Sequence, residues 1–135
     1  MPAQYLQADK LFQRKLKGHA LYSQVVIAEG KKFVFIAGVL SRDRDGNVVG
    51  AGDMRAQIVQ VAENMRIALE VAGATFKDLV KTTTYVTDID EFFKHPEERS
   101  KIFGETLPTS TTVEVRRLSH PELMLEIEAV ALLDK

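Results

Sequence analysis

The sequence predicts an α+β fold in which a mixed β-sheet carries two helices packed on one face. Three observations carry that expectation. Short runs of β-branched and aromatic residues recur along the chain, and the apolar pattern turns helical between residues 53 and 72. The segments follow the order two or three strands, helix, strand, helix, two strands.

Taken in order, Val25-Val26-Ile27 and Phe33-Val34-Phe35-Ile36 flank Glu29-Gly30-Lys31 and read as a hairpin. Gly38 interrupts the second run, and Asp45-Gly46 marks a turn. Met54, Ile58, Val61, Ala62, Met65, Leu69 and Ala72 fall on one helical stripe, with Asp53 suited to the N-cap and Gly73 to the residue just past the end. Leu79–Val86 reads as a strand. A second helix is expected over about residues 90–103, where Pro96 forces a kink or a late start. Beyond Pro108, strands are expected at residues 111–118 and 123–132, joined by Ser119-His120-Pro121-Glu122.

Composition narrows the function classes. The 135 residues contain 18 Lys+Arg against 19 Asp+Glu, a formal charge of −1, which offers no electrostatic footprint for nucleic acid or an anionic membrane. Without cysteine there is no disulfide framework, thiolate zinc site, iron–sulfur cluster or cysteine nucleophile. The chain shows no linker or repeat, no signal-peptide pattern in residues 1–21 and no membrane-length apolar run, so a single cytoplasmic domain spanning residues 1–135 is the expectation.

Familiar chemical motifs are scarce. His19, His95 and His120 have no i,i+4 partner or carboxylate cluster, so neither metal nor cofactor is expected. Gly50-Ala51-Gly52 precedes a helix but lacks phosphate-loop spacing and is followed by Asp53, which makes it a plain turn. Arg14-Lys15 with Lys17, and Lys31-Lys32, read as solvated turns, since no aromatic residues are interleaved with them for stacking on RNA.

The last strand is more informative. Leu123, Leu125, Ile127, Ala129 and Ala131 form a core face by alternation. The other face, Met124, Glu126, Glu128, Val130 and Leu132, is apolar at both ends and acidic in the middle, with the two carboxylates about 6.6 Å apart along the strand. Such a face suggests burial against another layer or subunit, where a carboxylate can serve as a general base. The alternative is an ion pair between Glu126 or Glu128 and Arg116 or Arg117 across a terminal hairpin.

Several segments together resemble the RidA/YjgF family, also labelled L-PSP endoribonuclease and translation inhibitor. They are Tyr22-Ser23-Gln24, the Phe33-to-Gly38 run, Ala72-Gly73-Ala74 followed by Asp78-Leu79-Val80-Lys81-Thr82-Thr83, Val86-Thr87-Asp88, Thr112-Val113-Glu114-Val115, and Leu125-Glu126-Ile127-Glu128-Ala129-Val130-Ala131. The resemblance covers roughly residues 20–133. It implies a chorismate-mutase-like fold assembled as a homotrimer, a small-molecule ligand in each inter-subunit cleft, and hydrolysis of enamines and imines to keto acids and ammonia.

The resemblance also implies site residues. The family glutamate that orients water falls on Glu126, the glycine whose neighbouring backbone positions substrate falls on Gly38 with Val39 beside it, and the cleft tyrosine falls on Tyr22. Within Pro108-Thr109-Ser110-Thr111-Thr112-Val113, Ser110 occupies the place of the family's carboxylate-binding arginine and Thr112 that of a frequent cysteine, with Thr111 between them. Pro96 and Arg99 replace an Asn and a Tyr that relatives often carry.

A hydroxyl in place of a guanidinium removes a charge-assisted hydrogen bond of about 1.5–3 kcal/mol. A cleft less tuned to anionic substrates is therefore expected. Three functions follow from these readings. The first is hydrolytic deamination of an atypical enamine or imine, Leu118-Ser119-His120-Pro121-Glu122-Leu123 being similar to a segment of 2-aminomuconate deaminases. The second is non-catalytic small-ligand binding or sensing by the trimer, and the third, least supported, is RNA cleavage.

Overall fold

The computed structural model of the chain describes residues 3–104 and 106–135. Two short antiparallel ladders open it: β1 (Ala3–Leu6) pairs with β4 (Val25–Ala28), and β2 (Lys15–Leu16) with β3 (His19–Ala20). The main sheet contains β5 (Lys32–Leu40), β6 (Leu79–Val86), β7 (Thr109–Glu114) and β8 (Leu125–Leu133), in the spatial order β5-β8-β6-β7. β6 and β7 run parallel, whereas β8 is antiparallel to both of its neighbours, so the sheet is mixed as expected.

Among the described residues there are three α-helices, one more than expected: α1 (Met54–Val71), α2 (Ile89–Phe92) and α3 (Pro96–Phe103). The single helix read over residues 90–103 is divided because Pro96 has no N–H to donate into a preceding turn. It stands instead in the first turn of α3, with His95 as the cap residue. The ends of α1 follow the sequence signals. The Asp53 carboxylate accepts from the Ala56 N–H at 3.0 Å, and Gly73, at φ +74°, supplies the left-handed residue just past the helix.

All three helices lie on one face of the sheet. Met65 and Leu69 of α1 pack on Leu79, Ala129, Ala131 and Leu133, with Phe103 of α3 against the same cluster. Met54, Ile58 and Val61 pack on Val86 and Leu125, joined by Phe92 of α2 and Ile102 of α3. Among the described residues, no helix is long and apolar enough to cross a membrane.

Two strand pairings differ from expectation. β4 does not form a hairpin with the run after it but pairs with β1, a strand the apolar pattern did not reveal. Residues between them are held by β8: Lys31 N–H donates to Leu133 O at 2.7 Å, and a Cβ on Gly30 would stand 2.6 Å from Leu132 Cγ. The two C-terminal strands are not neighbours either, because β6 lies between β7 and β8. β7 ends at Glu114, short of Arg116 and Arg117, which are exposed, so the terminal-hairpin ion pair does not form.

Candidate functional site

Cross-strand partners share a face of a sheet, and the registers divide the expected site residues into two groups. Thr82 and Thr84, buried toward the helices, stand opposite Ser110 and Thr112. Thr83 and Tyr85 stand opposite Thr111 and Val113 on one side and Glu128 and Glu126 on the other. Ser110 and Thr112 therefore face the helices. Thr111, Glu126 and Glu128 face the open side, so the two groups cannot meet within one copy of the chain.

On the open side, a bulge in β5 creates the local geometry. Ile36 pairs with Ala129 and Val39 with Ile127, so Ala37 and Gly38 stand opposite the single residue Glu128. The bulge brings Gly38 onto the Glu126 side chain. A Cβ there would lie 2.6 Å from Glu126 Cδ and 2.8 Å from its Cγ, which only glycine avoids. Val39 turns inward and packs on both core clusters, so any contribution it makes to a ligand comes from its backbone.

Glu128, two residues along, accepts the Tyr85 hydroxyl at 2.7 Å. This bond and the negative charges of Glu128 and Glu126 raise the Tyr85 hydroxyl above its ordinary value.

The two strands carrying Gly38 and Glu126 are both tied to α1. Gln57, completely buried, donates to Gly50 O at 3.1 Å and Glu122 O at 2.8 Å and accepts from Met124 N–H at 2.8 Å. Asn64, two turns on, donates to Leu40 O at 2.8 Å and Arg42 O at 2.9 Å. These amides secure the entry to β8 and the exit of β5. Sequence reading passed over them because they flank the apolar stripe of α1.

On the helix side, a cavity of about 430 Å³ has Tyr22, Ser110 and Thr112 in its wall. Ser23 positions Tyr22: its hydroxyl donates to Leu107 O at 2.6 Å and its N–H to Pro108 O at 3.1 Å. From α3, Arg99 Nε donates to Leu21 O at 2.6 Å, so the segment beside Tyr22 is held from two directions.

The same wall contains Arg14, Lys15 and Arg99. Arg14 and Lys15, read as a solvated turn, are brought there by β2 and by Arg14 stacking 4.1 Å above the Phe93 ring. Burial alone pulls the Arg99 guanidinium down to about 10. Among the described residues, the lining includes no Asp or Glu. Ser110 itself brings no charge, and the positive charge of the described lining comes from other segments, which the expectation of a cleft less tuned to anionic substrates leaves out. A serine in place of an arginine does not reveal cations supplied by other segments.

His95, also in the wall, has Nε2 3.0 Å from Glu91 Oε2. Among the described residues, no group of three or more His, Asp or Glu side chains is placed to hold a metal.

A mixed sheet covered on one face by helices, with this bulge and last-strand glutamate, defines a class, and comparison with known proteins gives the same class. The chain belongs to the family described as Endoribonuclease L-PSP, whose model matches residues 12–133, and its relatives include RutC/YjgF and Rid proteins. A RutC family protein of Pyrococcus abyssi is 38% identical over 110 residues, covering 82% of this chain and 84% of that one. One from Pyrococcus horikoshii is 39% identical, with 82% and 85% covered. Among crystal structures, the Rid family protein YyfB of Yersinia pestis superposes with a TM-score of 0.86 at 27% identity, covering 98% of this chain and 100% of that one. The fold is thus the chorismate-mutase-like α+β fold of the YjgF/Rid proteins.

Proposed function

We propose that the chain hydrolyses an enamine or imine of a small organic acid in a cleft shared by two copies of a homotrimer. Glu126 and Gly38 of one copy would face Tyr22, Ser110 and Thr112 of the next. The observation that carries this reading is the fit of Glu126 over Gly38, where the missing side chain makes room for the half-buried carboxylate itself.

Glu126 takes a proton from water as the oxygen adds to the imine carbon. The proton is returned to nitrogen to give the neutral carbinolamine, and Glu126 then carries the carbinol O–H proton to the same nitrogen as the C–N bond breaks, leaving C=O and ammonia. Water is the only co-reactant, so no cofactor is required.

Assembly is supported by the open face. Phe33 and Phe35 stack at 6.0 Å while 68% and 77% exposed, beside the Glu128 and Thr83 row. Such a face is costly in water and suited to a second copy of the chain.

The test is ammonia release from an imine generated in situ by an amino-acid oxidase acting on phenylalanine. Acceleration by the wild type and its loss in Glu126→Gln, with the oligomer unchanged by light scattering, is the expected result. Unaccelerated release across aliphatic and aromatic imines would leave ligand binding without catalysis as the function. Cleavage of RNA that follows the protein through chromatography and vanishes in a cavity variant would replace both.

A further inference from the structure

We propose that Arg99 binds the carboxylate of the ligand in the helix-side cavity, making the site selective for small organic carboxylates with an apolar body. The inference rests on reading that cavity as the substrate-binding half of the proposed cleft.

Among the described residues, Arg99 is a cation with no carboxylate paired to it. Its Nε serves Leu21 O, and its guanidinium carbon lies 4.9 Å from the centre of the Phe103 ring. Among the described residues its Nη2 is buried with no hydrogen-bond partner. A half-buried guanidinium with one buried, unused donor is unfavourable until an acceptor, best of all a charged one, completes it.

The cavity provides the rest of the ligand's outline. Its volume lies within the range typical of small-molecule pockets. Arg14 and Lys15 add positive charge, and Arg14 is held by an aromatic face that leaves its charge unneutralised. Glu91, the carboxylate beside His95, is engaged by that ring and by Lys94 at 3.4 Å.

Ser110 and Thr112 contribute hydroxyls, while Leu21, Phe92 and Pro96 supply apolar wall. Charge at one end and hydrocarbon along the sides describe an organic acid better than a bare inorganic ion. The anchor comes from α3, across the cavity from the β7 position where the family's arginine is missing.

The experiment is calorimetric titration of 3-phenylpropanoate against 3-phenylpropanamide, which share a body and differ in charge. Wild type is expected to prefer the acid by on the order of ten- to a hundredfold. Arg99→Lys should keep part of that preference and Arg99→Met abolish it, the acid losing far more affinity than the amide. A purely structural role for Arg99 would weaken both ligands together and overturn the proposal. So would a wild type indifferent to charge, or inorganic phosphate competing as well as the acid.

If Arg99→Met does not fold, side-chain 15N resonances of Arg99 in the wild type decide. Movement with the acid and not the amide is expected, and no movement refutes the contact. The deaminase reading fails separately: intact acid preference with no imine turnover sinks only that reading, and turnover without acid preference sinks only the role of Arg99.

Discussion

The open-face and helix-side halves of the candidate site are built in different ways. Gly38 and Glu126 are set by ladder hydrogen bonds on two adjacent strands and one bulge, with Gln57 and Asn64 of α1 securing the strand ends. The helix-side cavity draws its residues from the β2 region, the Tyr22 loop, α2, α3 and β7, held by a few side-chain bonds to backbone such as those of Ser23 and Arg99. Strand ladders give little freedom and suit a group that must hold a water in place. Loops and helices reach further and can gather charge from distant parts of the chain, which suits ligand selection.

The largest effect that would break this division is on Glu126. Glu126→Gln is expected to lower imine turnover by about 10²–10⁴-fold while leaving discrimination between acid and amide intact. Steady-state rates and titration on the same preparation check both. Gly38→Ala should mimic it by displacing the carboxylate, again without altering ligand charge preference.

Next comes the brace beneath the open face. Gln57→Leu would leave Glu122 O and Met124 N–H without this partner, and Gly50 O with the Asp53 N–H, at about 1–3 kcal/mol for each group left unsatisfied. Urea unfolding should show the loss as a lower midpoint with unchanged slope.

On the other side, Ser23→Ala is expected to cost only about 1 kcal/mol by freeing Leu107 O, but to weaken binding of 3-phenylpropanoate as the Tyr22 segment loosens. Unchanged acid binding in this variant would separate Tyr22 from the ligand.

The smallest effect concerns Tyr85. Its folded-state value is raised above the ordinary tyrosine value near about 10, so stability from its bond to Glu128 is full below that pH and is lost as pH rises through the folded value. Glu128→Gln should bring the phenolate absorbance of Tyr85 to lower pH, with turnover at neutral pH unaffected.

Much of the fold was legible in the chain. The stripe and caps of α1, the strand β6 and the alternation of β8 each depend on periodicity or on a local cap, and each stands where the pattern put it. The two misread hairpins share a cause. Apolar alternation says which face of a strand is buried but not which strand lies beside it, so β1 went unseen as the partner of β4 and β6 was not placed between β7 and β8.

For the site, alternation pointed to Glu126 and Glu128 together and the resemblance to Glu126, which the structure sets against Gly38. The division of Thr111 from Ser110 and Thr112 was implicit in the period of two. The cationic character of the cavity was not. Arg14, Lys15 and Arg99 are separated by long stretches of chain, and a net charge of −1 is silent on where charges gather.

Periodicity, caps and proline are local, and from them the amino-acid order established the class of fold, the course of α1 and the acidic centre of the last strand. Tertiary structure alone decided which strands became neighbours and which cations meet at Ser110, because both depend on packing between segments that no short-range pattern connects.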